Sequence, residues 1–191
     1  MPINKLNERF DENFMQSPVP GLIYLSNLIL GKKKPAGIYR YVFYGNLLIS
    51  ISFLFWHLTA FVSIFFRNEI FAHKEGLHVN EILMSEAHNL GFQSVDFIWK
   101  LEFFHVLSFL CWLFILFSGI ILWRRLSGYL TIYFISLLAY FLLIISIMGV
   151  KYFVAELTNY DQFSILLLTL IMFLPLFYPY FNKQMNIEDD D

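Results

Sequence analysis

The chain of 191 residues contains a single cysteine, Cys111, so no internal disulfide framework can staple it. It is also poor in charge. Charged residues make up 15% of it, against about 25% in ordinary soluble domains. The two signs nearly cancel, to a net −2, and the basic residues form no long stripe, which argues against nucleic-acid binding. There is no Gly-rich phosphate loop, no nucleophile elbow, no Cys-x-x-Cys and no His-Glu-x-x-His. The familiar sequence marks of nucleotide, acyl-transfer, redox-thiol and zinc-protease chemistry are therefore all missing.

What is present is apolar. Hydrophobic residues make up 58% of the chain, with 23 phenylalanines, and the mean hydropathy is +0.61. Residues 42–66 run without a single charge, and an α-helix of that length crosses the ~30 Å hydrocarbon core of a bilayer. Three more uncharged stretches follow, at 103–123, 126–150 and 163–182. Tyr or Trp stands near several of their ends, as interfacial anchors do. The expected fold class is all-α, an integral membrane four-helix transmembrane bundle. Pro175 and Pro179 are expected to kink or fray its last helix near the end.

Three segments lie outside this transmembrane domain of residues 42–182. Residues 1–41 are a polar N-terminal segment, within which 21–30 read as a short interfacial helix followed by Lys32, Lys33 and Lys34. Residues 183–191 are an acidic tail. The long connection between the first two spans carries Val79, Ile82, Leu83 and Leu90 at helical spacing, so the outer loop is expected to be partly helical.

Nine basic residues belong to the two terminal segments and the second connection: Lys5, Arg9, Lys32, Lys33, Lys34, Arg40, Arg124, Arg125 and Lys183. Only Arg67, Lys74, Lys100 and Lys151 fall on the opposite side. This bias places both termini inside, in a bacterial or organellar inner membrane.

Ionisable residues within lipid are costly, so each is a candidate for function. The expected spans contain only His57 and His105. On a helical wheel Asn46, Ser50 and His57 share one stripe, which must face other helices. His105, Trp112 and Gly119 recur every seven residues, with Ser108 beside them, as a packing seam. Two histidines on antiparallel helices are the cofactor-binding candidates for a haem b. Their expected depths disagree, however: His57 lies about 15 Å below the outer surface and His105 about 5 Å. The bland alternative is a neutral His57 hydrogen-bonded to a neighbour such as Ser136 or Tyr140.

The outer loop gathers His73, Glu75, His78, Glu81, Glu86 and His88. His73, His78 and His88 are the metal-ligand candidates, and Glu102 with His105 has the Glu-x-x-His spacing of di-iron bundles. Cys111 reads as a packing residue. The leading expectation for function is a non-catalytic polytopic subunit of a respiratory, secretion or transport assembly. Its partners are then the lipid bilayer and other membrane protein subunits, with no nucleic acid and no cofactor. One alternative is a haem b electron-transfer subunit. The other is a small membrane enzyme or transporter using the outer His/Glu cluster.

Overall fold

The computed structural model describes residues 29–30, 37–67 and 79–188, and every element among them is a helix. In chain order these are α1 (Ile38–Phe65), α2 (Val79–Leu90), α3 (Ser94–Trp123), α4 (Tyr129–Leu143), α5 (Gly149–Glu156) and α6 (Asn159–Glu188). A π-helical turn, Ile144–Met148, joins α4 to α5. Four stretches are long and apolar enough to cross a membrane: Ile38–Phe65, Asp96–Trp123, Tyr129–Ala155 and Asn159–Phe177. The protein is an integral membrane protein. Leu48, Phe55, Leu138 and Leu170 are exposed, as residues against lipid are.

The interior mixes apolar side chains with a few polar ones, while the outward surface of the spans is largely apolar. In α1 the buried stripe contains Asn46, Ser50 and His57, the stripe expected from the helical wheel. α3 is the central helix and packs against α1 and α4. Its buried face runs from Phe97 through His105, Ser108 and Trp112 to Leu122. Trp112 stacks on Phe53 of α1, with ring centroids 3.9 Å apart and planes within 5°. Cys111 is buried in the same face, as a packing residue should be.

The half of the bundle nearer the start of α1 (the inner half below, the half toward the Arg67–Glu102 end being the outer) closes tightly on Asn46. Its Nδ2 donates to the Ile115 carbonyl at 3.3 Å and lies 3.5 Å from Met172 Sδ, while Ser50 Oγ donates to its Oδ1 at 3.3 Å. This requires glycine at position 119. A Cβ there would stand 2.8 Å from Asn46 Oδ1, a separation at which something must shift. The seven-residue seam of α3 is thus a place of close helix approach.

Helix ends differ from the sequence expectation. α3 begins at Ser94 rather than near 103, because Asp96, Lys100 and Glu102 ride on its outer turns instead of ending it. At that end Arg67 pairs with Glu102 at 3.2 Å and tethers the C-terminus of α1. α6 continues through Pro175 and Pro179 to Glu188. The amphipathic helix expected in the outer loop is α2, which rests on α3 through Ala87, Leu83 and Leu90. Of the expected interfacial helix, only Ile29 and Leu30 lie among the described residues, and both are helical. Arg124 Nε donates to the Ile29 carbonyl at 2.9 Å, which ties Ile29 to the α3–α4 turn.

The third span needs its π turn. Tyr140, Ile144, Met148 and Tyr152 are all buried and follow one another at intervals of four. In a straight α-helix, twelve residues would leave Tyr152 about 120° around from Tyr140. The wider π turn, with its i→i+5 bonding, and the non-helical backbone of Gly149 after it together return Tyr152 to the inner face. Gly149 follows with φ 82, a conformation that a side chain would resist.

Candidate functional site

A histidine inside lipid needs a hydrogen-bonding partner. Here the two intramembrane histidines supply each other: His57 Nδ1 of α1 and His105 Nδ1 of α3 are 3.0 Å apart. Both side chains are buried. For two neutral rings this contact fixes the tautomers. One ring donates Nδ1–H and keeps a bare Nε2; the other accepts at Nδ1 and carries its proton on Nε2. Phe104 and Tyr140 each meet the His57 ring edge to face, with centroids 5.8 Å away. His57 Nε2 is buried with no hydrogen-bond partner.

The levels of the two rings correct the depth expected from sequence. His57 lies eight residues before the end of α1, and His105 eleven residues after the start of α3. The early start of α3 lowers His105 to meet His57. Ser136 is not the partner, since its hydroxyl donates back to the Ile132 carbonyl.

Their closeness bears on the haem candidate. Axial ligands of one iron lie on opposite faces of the macrocycle, with nitrogens about twice a ~2 Å metal–nitrogen bond apart. His57 and His105 touch directly. The pair leaves no gap for a macrocycle between them.

The other candidates separate. Glu102 is engaged by Arg67 and His105 by His57, so the two ends of the Glu-x-x-His spacing serve different contacts. His88 is exposed on α2, while His73 and His78 lie outside the described residues. Among the described residues no three His, Cys, Asp or Glu side chains converge as a metal site.

Beside the histidine pair lies a cavity of about 640 Å³, within the ~300–1,000 Å³ range of small-molecule sites. It occupies the outer half of the bundle. Phe53, Trp56 and His57 of α1 line one side, and Phe104 and His105 of α3 the inner wall. Tyr140 and Tyr152, brought to one face by the π turn, line the next side. The N-terminal end of α6 and Leu83 and Glu86 of α2 form the rim.

The opening follows from the packing of α1 and α6. They meet in the inner half, where Asn46 touches Met172 and Gly45 faces Ile171. Outward from there, Leu48, Ser52 and Trp56 of α1 and Tyr160 and Ser164 of α6 line a cavity instead of packing together. Leu48 is 72% exposed, Trp56 62% and Tyr160 70%, so this side faces the lipid. The rim at α6 is built by a capping box. The Thr158 amide donates to Asp161 Oδ2 at 3.1 Å, and the Asp161 amide donates back to Thr158 Oγ1 at 3.2 Å.

Several residues of this site carried no separate signal in the sequence. Trp56, Tyr152 and Asp161 belong to no motif. Tyr140 could be named only as a neighbour of His57. Compared with known proteins, the chain matches no family model, no curated protein and no solved structure.

Proposed function

We propose that the protein is a non-catalytic membrane binding protein that admits a membrane-soluble small molecule sideways from the bilayer. The cavity between α1 and α6, open toward lipid and walled on one side by the His57–His105 pair, carries this reading. The apolar body of a bound molecule can lie among the aromatic walls, beside the His57–His105 pair. Wider assembly with respiratory, secretion or transport subunits is the setting we infer for it. The support for that is the aromatic lipid-facing surface.

Binding is tested by purification in mild detergent, followed by mass spectrometry of extracted small molecules and an absorption spectrum. We expect one amphipathic molecule per chain in the wild type, and its loss from Ser52→Trp, which fills the opening from an exposed position on α1. Equal content in both proteins, or none in either, overturns the reading. A Soret band would replace it with the haem b alternative.

We also infer that both termini face the cytoplasm or its organellar equivalent, on the strength of nine basic residues against four. Single cysteines at Asn4, Asn80 and Asn186 check this by labelling in intact cells. Asn80 should react from outside and the other two only after permeabilisation.

A further inference from the structure

We propose that the ligand of this cavity is an amphipathic organic cation, an apolar body bearing an ammonium-type head; this rests on reading the cavity as a binding site. Charge is the first support. Glu86 and Asp161 both line the cavity, and among the described residues no lysine or arginine does. Asp161 stands in the first turn of α6, where it offsets the partial positive charge of the helix N-terminus. Glu86 is then the net charge at the rim. Nearby cations are turned to other work: Lys100 lies over the Phe92 ring at 4.9 Å, and Arg67 pairs with Glu102. Among the described lining residues an anionic head would meet carboxylates and no cation.

Aromatic faces are the second support. Trp56, Tyr152 and Tyr160 line the same cavity as the carboxylates. Ring faces attract a cation electrostatically, tryptophan most strongly, and the attraction grows where water is excluded. The rest of the lining is largely apolar, with the His57–His105 pair in one wall. The cavity thus has a cation-favouring rim and an apolar body. That gradient suits a molecule drawn from the outer leaflet with its charged head left near the surface.

Two ions of nearly equal size and opposite charge test this directly: tetraphenylphosphonium and tetraphenylborate. Each is titrated against the purified full chain in detergent, with quenching of tryptophan fluorescence as the readout. The Ser52→Trp variant is titrated in parallel to subtract partition into micelles. We expect the phosphonium to bind at least about tenfold more tightly than the borate, the scale of a cation–π contact combined with a carboxylate. Glu86→Gln, at a position on the outer helix away from the bundle core, should lower phosphonium affinity about fivefold or more with unchanged helicity by circular dichroism.

Equal affinity for the two ions, preference for the borate, binding of neither, or undiminished affinity in Glu86→Gln each overturns the cation assignment. None of these bears on whether a Ser52-dependent molecule co-purifies, so the binding reading stands or falls separately.

Discussion

The two halves of the bundle use intramembrane polarity in opposite ways. In the inner half Asn46 is closed in by Ile115, Met172, Ser50 and the bare backbone of Gly119. In the outer half His57 and His105 satisfy only one nitrogen of each other, and a cavity opens beside them. The same helices, α1 and α3, supply both sites. Polar residues that are fully enclosed hold helices in register, and those left partly open beside a cavity are placed to meet something else. A polar stripe in a membrane helix thus does not have one role along its length.

The largest effect on stability is expected where the packing is tightest. Gly119→Leu drives a side chain into Asn46 and must move it off the Ile115 carbonyl. We expect a loss of at least about 1–3 kcal/mol, the scale of an overpacked core, seen as a lower thermal transition in detergent. Phosphonium binding by the protein that remains folded should change little, because the cavity lies in the other half. A Gly119→Leu protein with wild-type stability would erase the distinction between the halves.

Separating the histidines should cost less. His57→Leu leaves His105 Nδ1 without its partner, at about 0.6–2 kcal/mol for a hydrogen bond between membrane helices. His105→Leu should cost a similar amount, and the double variant no more than the larger single one, since one contact is lost in all three. Denaturation of the four proteins in a double-mutant cycle gives the coupling directly. Full additivity would mean that the two rings stabilise the bundle independently. His57→Gln keeps a hydrogen-bonding group and should fall between His57→Leu and the wild type.

Much of this architecture was legible in the sequence, and the reasons are physical. A run of 25 uncharged residues has few fates besides a membrane span, and all four spans appear. The inward stripe of Asn46, Ser50 and His57 followed from helical periodicity alone. The His57–His105 contact was missed because charge was taken as the end of a span. Asp96, Lys100 and Glu102 instead belong to outer turns of α3, which lowers His105 by about two and a half turns. The cavity was not legible either. It depends on the π turn that brings Tyr152 round to Tyr140, and on α1 and α6 parting beyond Asn46. Neither has a local composition signal, since residues 144–148 read as ordinary apolar helix.

The smallest effect is expected at the bond that closes the outer half from above. Arg67 Nη1 reaches Glu102 at 3.2 Å and also donates to the Ile64 carbonyl at 2.8 Å. Both side chains are 23% exposed, so water and salt screen the pair, and its strength falls in the ~0–1 kcal/mol range of exposed ion pairs. Glu102→Gln keeps the shape and an acceptor oxygen for the same guanidinium. Arg67 keeps its bond to the helix end, so the C-terminus of α1 stays capped. We expect a loss of no more than about 0.5 kcal/mol, shrinking further as salt is raised, together with unchanged phosphonium affinity. A larger loss that persists at high salt would show that this end is far more shielded than its exposure implies. The outer half would then be held as firmly as the inner one, and the cavity would owe its openness to the path of α6 alone.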